Sequence, residues 1–315
     1  MRVGISIDRW DGQPATVGEM VGLAQRAEAA GFTSGWLSNI FALDALTTIA
    51  VCGAQTAIIE LGTAVVPIYT RHPWALAQQA LTTQAASGGR LALGIGLSHA
   101  AVVEGVWGLS YAQPLQAMAD YLAVLTPLVQ TGQAQVVAGS YWVNATLTVP
   151  GATPCPILLA ALGPQMLALV GRVAAGTITW MTGPQTLRDH IIPTLGAAAA
   201  AAGRSAPRVV AGLPVAVTDD PAAARALAAR AFRIYGVLPA YRAMLDREGA
   251  VGPGDIAVVG DEDTVAAALA RLAEIGVTDF QAVPFAVGPD KAASVERTYT
   301  LLARLARAYG AAAPA

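Results

Sequence analysis

Residues 87–99 read SGGRLALGIGLSH, and this stretch decides the fold that the rest of the chain is predicted to adopt. A Gly-Gly-Arg turn leads into an apolar run that is too short for a helix, so we interpret Leu91–Ile95 as a buried parallel strand. The strand opens into Gly94-Ile95-Gly96 and ends on the polar pair Ser98-His99. Because ligands collect at the carboxyl ends of strands in strand-helix repeats, this end is a candidate ligand site.

Two other interpretations of the Gly-x-Gly pattern stay open at this point. A dinucleotide fingerprint would need a third glycine where His99 stands, and the nearest suitably spaced acid, Asp120, falls inside a helical run. A strand can also need glycine only to clear a neighbouring helix.

Composition excludes several classes of protein. The 315 residues are 55% hydrophobic and 13% charged, yet no apolar run is long enough to span a membrane, so we expect a soluble protein. A net charge of −2 without a basic face argues against a nucleic-acid partner. Two distant cysteines and three histidines support neither a metal site nor a disulfide framework. The chain starts directly with a strand pattern and no signal peptide pattern, which predicts the cytoplasm.

Strand and helix signals alternate along the chain. The eight predicted strands are Val3–Ile7, Ser34–Leu37, Ile59–Val66, Leu91–Ile95, Pro156–Ala161, Gly176–Trp180, Arg208–Val217 and Asp279–Pro284. Strands that are each followed by a helix predict a single-domain α/β protein with a (β/α)8 TIM barrel, and a doubly wound open sheet is the alternative.

Three segments interrupt the repeat. Residues 131–150 contain a β-rich excursion, Val136–Val149, which we expect to form a hairpin over one end of the core. Residues 236–260 are predicted to be an insertion, with Gly/Pro-rich loops from Gly236 to Asp255. From about residue 310 we expect a flexible alanine-proline tail.

In a barrel, functional side chains lie at the carboxyl ends of strands, and the residues at these ends offer little chemistry of their own. There is no pair of carboxylates for glycoside hydrolysis, no Gly-x-Ser-x-Gly elbow and no lysine for a Schiff base. A mouth rich in backbone and apolar groups indicates that a cofactor performs the reaction.

Several motifs resemble those of the bacterial luciferase-like superfamily, and most closely its oxidoreductases that use the deazaflavin coenzyme F420. The run from Pro67 to Pro73, the tetrad AQQA at 77–80 and GGRLALGIG at 88–96 carry the resemblance. Residues 156–164, followed by 174–176, are similar to the fifth and sixth strands of that family. The resemblance extends from Val3 to about Phe285 and implies a (β/α)8 barrel.

The resemblance also implies roles for individual residues. Thr63, Ala64 and Val65 are similar to a bulged strand, often with a non-proline cis peptide, that contacts the back of the cofactor ring. Asn39 stands where many relatives place an acid that holds the polar edge of the ring, and Ile40 replaces a histidine found in some of them. The further cofactor-binding residues that we predict are Gly96, Leu97, Ser98, Ala161, Leu162, Gly163, Pro164, Gln165, Trp180 and Thr182, of which residues 161–165 resemble a phosphate cradle.

Two side chains are candidates for proton transfer. His99 aligns with a glutamate that serves as the acid in the sugar-phosphate dehydrogenases of the family, and an imidazole there can donate a proton to the substrate. The alternative is a rim histidine that is bonded to a backbone carbonyl. Asp8 can orient or protonate the substrate, or cap the loop after the first strand. Trp107, Trp180 and Met181 are candidates for the wall on the substrate side.

These observations predict an F420-dependent oxidoreductase that transfers a hydride between the deazaflavin C5 and a C=C, C=N or carbonyl group of a small molecule. An FMN-dependent monooxygenase of the same fold and a barrel that binds a small molecule without turnover are the alternatives. The family resemblance implies a homodimer, and we expect no metal, nucleic-acid or membrane partner.

Overall fold

A computed structural model, which describes residues 1–8, 13 and 15–311, contains a closed barrel of parallel strands inside a layer of helices. The strands are β1 (Arg2–Ser6), β2 (Ser34–Leu37), β3 (Glu60–Thr63), β4 (Val66–Pro67), β5 (Leu91–Gly96), β6 (Gln133–Ala138), β7 (Tyr141–Thr146), β8 (Ile157–Ala160), β9 (Gly176–Trp180), β10 (Arg208–Val217), β11 (Val258–Gly260) and β12 (Asp279–Pro284).

Eight of these strands close the barrel. Their order is β1-β2-β3-β5-β8-β9-β10-β12, and β12 pairs in parallel with β1, which places Val3 opposite Phe280. The predicted (β/α)8 barrel is therefore confirmed, and the doubly wound open sheet is excluded. A closed sheet leaves no edge strand in the barrel, which is why its strands can be apolar on both faces.

Helices connect the strands around the outside. They are α1 (Val17–Ala30), α2 (Ala45–Ala54), α3 (Pro73–Ala86), α4 (Ala100–Gly105), α5 (Pro114–Thr131), α6 (Pro164–Val173), α7 (Pro184–Thr186), α8 (Ile192–Ala201), α9 (Pro221–Ala231), α10 (Pro239–Glu248), α11 (Pro253–Ile256), α12 (Glu262–Glu274) and α13 (Lys291–Ala311). A π-helical turn, Leu187–Ile191, joins α7 to α8.

Local signals in the sequence set several helix boundaries. Thr16 and Glu19 form a capping box at the start of α1, and Gly31 ends that helix with φ of 88°, as its position predicted. Asp44 caps α2 by accepting a hydrogen bond from the Thr47 N–H at 2.8 Å. Pro73 stands at the first turn of α3, where its missing N–H costs nothing.

Trp36 fills the lower interior of the barrel. Its ring is fully buried, and its Nε1 donates to Ser34 Oγ at 2.9 Å. Side chains at Gly4 and Gly62 would collide with this ring, so glycine at both positions makes the large interior residue possible. The interior above Trp36, toward the carboxyl ends of the strands, is where the cavity described below lies.

Four charged residues close the opposite, amino-terminal end of the barrel. Arg2, Glu60, Arg208 and Asp279 each begin a barrel strand. Arg208 binds Glu60 Oε1 and Asp279 Oδ1, both at 2.8 Å, and Arg2 binds the same two carboxylates. This network neutralises charge at the closed end and ties strands from distant parts of the sequence together.

The predicted hairpin exists, but its position was wrong. Strands β6 and β7 pair antiparallel from Gln133–Thr146 to Ala138–Tyr141. They pack along α5 on the side of the barrel, with the Tyr121 and Tyr141 rings 6.0 Å apart, and do not cover an end of the core. Buried Ala134 and Val143 anchor the hairpin to this side.

The segment predicted as loops from Gly236 to Asp255 is largely helical. It contains α10 and α11, and the short strand β11, which sequence reasoning missed, follows and pairs with the upper part of β10. Helices α4 and α5 are separate, with residues 106–113 between them.

Helix α13 runs on to Ala311, past the predicted start of the tail, and the rest of that tail lies outside the described residues. Among the described residues, no helix combines the length and the apolar character that crossing a membrane requires.

Candidate active site

A cavity of about 450 Å³ opens at the carboxyl ends of the barrel strands. This volume lies within the range of roughly 300–1,000 Å³ that is usual for small-molecule sites. The predicted site residues that line it are Asp8, Asn39, Ala64, Val65, Gly96, Leu97, Ser98, His99, Ala161, Leu162, Gly163 and Trp180. The barrel therefore brings together residues that are as much as 172 positions apart in sequence, from Asp8 to Trp180.

Four predicted site residues do not line the cavity: Thr63, Pro164, Gln165 and Thr182. The Thr63 hydroxyl instead bridges two strands, since it donates to the Gly94 carbonyl oxygen at 2.7 Å and accepts from the Gly94 N–H at 2.8 Å. Thr182 is buried, and its hydroxyl donates to the Trp180 carbonyl oxygen at 3.2 Å. Met181, a candidate for the wall, is fully buried outside the lining as well.

The third barrel strand is interrupted at Ala64 and Val65. Strand β3 ends at Thr63, the Ala64–Val65 peptide is cis, and pairing resumes at Val66 in β4. The resemblance predicted a bulge of this kind, and the backbone confirms it. Ala64, Val65 and Ala160 contribute small apolar side chains to the cavity floor.

Gly96 keeps this floor open. A Cβ at position 96 would come within 2.7 Å of Val65 Cγ2 and 3.2 Å of Ala160 Cβ, closer than ordinary van der Waals contact. The space that a side chain would occupy is therefore available to a flat ligand that lies against the backbone.

His99 stands at the N-cap position of α4, but its ring makes no cap hydrogen bond. Its ring centroid lies 5.8 Å from that of Tyr241, with the planes tilted by 59°. Burial lowers the pKa of His99 below its ordinary value of 6.5, so the neutral imidazole is favoured at pH 7. Ser98, just before it, has a left-handed φ of 59°, a backbone conformation that non-glycine residues adopt mainly at constrained sites.

Asp8 lies at the end of β1 on the cavity wall. One of its carboxylate oxygens accepts from the Ser38 N–H at 2.9 Å and from the Ser6 hydroxyl at 3.3 Å. Burial raises the pKa of Asp8 despite these hydrogen bonds, which act in the opposite direction. The carboxyl group is therefore easier to protonate than an exposed aspartate.

Asn39 reaches both the cavity and the start of α2. Its side-chain oxygen accepts from the Ala45 N–H at 3.0 Å, which leaves the amide donors for a ligand. Ile40 is 58% exposed beside it at the rim.

The start of α6 faces the same cavity. Gly163 is the N-cap residue and lines the cavity, and no side chain caps the helix. Because N–H groups in the first helical turn have no intrahelical acceptor, that of Met166, which lines the cavity, is available to an anion. This arrangement suits the predicted phosphate cradle, although Pro164 and Gln165 lie behind the lining.

Sequence reasoning missed an aromatic wall and one polar residue. Tyr241, in α10, lines the cavity from the segment that was predicted to be loops, and Tyr235, in the 3-10 turn Arg233–Gly236, lines it from just before that segment. Gln281 reaches the cavity from within β12 and not from its end. A lone glutamine in the apolar run FQAVP was a signal that could have identified it. Among the described residues, no group of three His, Cys, Asp or Glu side chains could hold a metal ion.

The sequence model of the luciferase-like monooxygenase family matches residues 1–279. The chain belongs to this family. Among its relatives, the F420-dependent glucose-6-phosphate dehydrogenase of Beutenbergia cavernae is 30% identical over 290 residues, which cover 87% of this chain and 81% of the relative.

Solved structures of family members share the barrel. The coenzyme F420-dependent tetrahydromethanopterin reductase of Methanopyrus kandleri superposes with a TM-score of 0.77 at 22% identity, over 96% of this chain and 97% of that one. The oxygenating constituent of 3,6-diketocamphane monooxygenase from Pseudomonas putida, in complex with FMN, gives a TM-score of 0.73 at 17% identity, over 96% and 97% of the chains. At these identities the likeness establishes the fold.

Proposed function

We propose that this chain is an oxidoreductase that uses the deazaflavin coenzyme F420 and acts on an unsaturated small molecule with a C=C, C=N or carbonyl group. When bound, the coenzyme donates or accepts a hydride at C5. The observation that carries the proposal is the floor at Ala64, Val65 and Gly96, which presents a flat apolar surface with no reactive side chain. The named relative that uses F420 and the methanopterin reductase support the choice of coenzyme.

The residues of the cavity fit such a group. The floor suits the back of a flat ring, and the amide donors of Asn39 suit its polar edge. The first turn of α6, with Gly163 at its N-cap, suits the phosphate because free N–H groups and the helix dipole favour an anion.

His99 and Asp8 are the catalytic residues of the proposed reaction, His99 as the proton carrier and Asp8 as the group that orients the substrate. In the direction of substrate reduction, the protonated imidazole of His99 donates to the substrate atom that becomes basic, and in the direction of oxidation the neutral imidazole accepts that proton. The pKa of His99, lowered by burial, favours the accepting form at pH 7. Asp8, whose pKa is raised by burial, orients the substrate as a hydrogen-bond donor when protonated.

Titration of the purified protein with F420 and, separately, with FMN tests the proposal. The expected result is saturable F420 binding that is tighter than FMN binding, followed by absorbance and by the fluorescence of Trp107 and Trp180. Tighter FMN binding would instead support the monooxygenase alternative, and binding of neither would support a barrel without redox activity.

A matched variant separates binding from chemistry. His99→Gln is expected to bind F420 as the unmodified protein does, because the predicted ring site lies on the floor, and to lose turnover. Loss of both properties together would place His99 in coenzyme binding.

We further propose that the protein acts as a cytoplasmic homodimer through the helices beside the second to fourth barrel strands. Val51 on α2 and Ile58 after it are 42% and 79% exposed, which supports an apolar contact there. Sedimentation of the protein and of an Ile58→Asp variant tests this contact, since a monomer in both cases would contradict it.

A further inference from the structure

Resting on the proposed function, we propose that the cavity selects an uncharged substrate with an aromatic or alicyclic body over a phosphorylated one, and that Tyr241 determines this preference. The inference depends on the walls of the cavity above its floor and on the charges that are present there.

One wall consists of apolar side chains that are partly or largely exposed to solvent. Ile40 and Phe41, after β2, are 58% and 69% exposed and line the cavity. Val102 and Trp107, on α4 and just after it, also line the cavity. Because water contact of apolar surface is unfavourable, an apolar ligand that covers these side chains gains free energy on binding.

A second part of the lining is a connected row of aromatic rings. Trp180 lies 5.9 Å from Tyr235 between ring centroids, Tyr235 lies 4.9 Å from Tyr241, and Tyr241 lies 5.8 Å from His99. Tyr241 is therefore the ring beside the proposed proton carrier. An aromatic or alicyclic substrate that presents its reactive group to His99 would place its body against Tyr241.

Helix α10, which carries Tyr241, is fixed in place. The Glu248 carboxylate at its end accepts from the Gln185 N–H at 3.0 Å and the Thr186 N–H at 2.7 Å. The Thr186 hydroxyl donates back to the Met244 carbonyl oxygen at 3.2 Å. These hydrogen bonds hold α10 against α7. The aromatic wall is therefore preorganised, and the substrate does not have to order it on binding.

The charges in the cavity disfavour an anionic substrate. Among the described residues, no arginine or lysine lines the cavity, and the ionisable groups there besides tyrosines are Asp8 and His99. Burial raises the pKa of Asp8 and lowers that of His99, so burial acts against the charged form of both groups. A phosphate placed against these walls would lose its hydration without gaining a cation from the described residues.

Calorimetric titration with two probes tests the selectivity. The probes are 4-phenylbut-3-en-2-one, an uncharged aromatic enone, and glucose 6-phosphate, each added with and without F420. The enone is expected to bind more than about tenfold tighter, because an unpaired buried anion costs several kcal/mol. Equal affinities, or tighter binding of glucose 6-phosphate, would overturn the inference.

Variants assign the preference to particular walls. Tyr241→Leu is expected to weaken enone binding about two- to tenfold through loss of a ring contact, and Tyr241→Phe to retain it. Ile40→Arg places a cation at the exposed rim and is expected to strengthen glucose 6-phosphate binding about tenfold, with no gain for glucose. The control is Trp142→Ser on the β6–β7 hairpin, which is 85% exposed outside the cavity and is expected to change neither affinity.

The results separate this inference from the proposed function. Failure of F420 to bind would overturn the proposed function, while the effect of Tyr241→Leu on enone affinity without coenzyme still reports the role of the aromatic wall. Thermal denaturation of Tyr241→Leu identifies misfolding, and unchanged enone affinity in a folded Tyr241→Leu variant would overturn the role of Tyr241.

Discussion

Adding a single methyl group at Gly96 tests the proposed cofactor floor. In Gly96→Ala the new Cβ would lie 2.7 Å from Val65 Cγ2 and 3.2 Å from Ala160 Cβ. Carbon atoms in contact prefer about 3.5–4.0 Å, so the Val65 methyl must move by about 1 Å. Both neighbours belong to the floor, and the movement narrows the cavity where the ring is expected to lie.

The magnitude follows from the cost of overpacking. Extra methyl groups in a packed environment cost about 1–3 kcal/mol. If this cost opposes binding of the ring, the dissociation constant of F420 rises about 5- to 150-fold. The free energy of unfolding should fall by less than this range in the unliganded protein, because Val65 can then move into the empty cavity.

Two other glycine substitutions serve as controls. Gly94→Ala places its Cβ against the Thr63 carbonyl oxygen, a backbone atom that cannot move aside, and is expected to cost about 3 kcal/mol or more of stability. Gly22→Ala, on the exposed side of α1 with no atom within 4 Å, is expected to add about 0.5–1 kcal/mol and to leave F420 binding unchanged.

Fluorescence titration with F420 and urea denaturation measure the two effects separately. Gly22→Ala is expected to bind F420 as tightly as the unmodified protein does, and Gly96→Ala is expected to bind it more weakly. Gly96→Ala with unchanged F420 affinity and normal stability would refute the assignment of the ring to this floor.

Three further predictions concern the charged residues. His99→Gln should lower turnover about 10²- to 10⁴-fold. In the unmodified enzyme, the rate of substrate reduction should fall and the rate of substrate oxidation should rise as pH increases through the His99 pKa, which lies below 6.5. A His99→Gln variant with the same pH–rate profile as the unmodified enzyme would contradict this role. Asp8→Asn should raise the melting temperature at pH 7 but not near pH 3. A carboxyl group whose pKa is raised in the folded state destabilises that state as pH rises above 3.8, the pKa of an exposed aspartate. A lower melting temperature of the variant at pH 7 would argue against a costly buried charge. Asp279→Ala should lower the free energy of unfolding by about 3–5 kcal/mol at pH 7, as measured by urea denaturation, because Arg2 and Arg208 would then share the single carboxylate of Glu60. Burial acts to raise the pKa of Asp279, but Arg208 and Arg2 hold it below 3.8. The stabilisation that the Asp279 carboxylate provides should therefore disappear as pH falls through this lowered pKa. If Asp279→Ala instead lowers the free energy of unfolding equally at every pH, the effect is due to packing.

The barrel could be predicted from sequence because its signals are local. Apolar runs bounded by glycine and proline locate the eight barrel strands, and caps such as Asp44 and Gly31 locate helix ends. The strand-end rule then identified Asp8, Asn39 and residues 96–99 as neighbours, since parallel strands in a barrel meet at one mouth.

The other part of the site was not accessible to the same reasoning. Pro239 at the first turn of α10 and Gly249 after its end are helix boundaries, but in a segment rich in glycine and proline they resemble loop signals. Tyr241 was therefore missed. Thr63 was assigned to the cofactor on family likeness, whereas its hydroxyl bonds to Gly94 and only its neighbour Ala64 reaches the cavity. A strand pattern gives alternation but does not say where a bulge shifts it.

The pairing of β1 with β12 has a consequence for biosynthesis. The first barrel strand, Arg2–Ser6, finds its partner only when Asp279–Pro284 has been made, and Gln281 of that last strand reaches the cavity. A nascent chain on the ribosome can form strand-helix pairs early, but it cannot complete the ring of strands until Asp279–Pro284 has left the ribosome. Truncated chains that lack β12 are therefore expected to form neither the closed ring of strands nor the complete cavity.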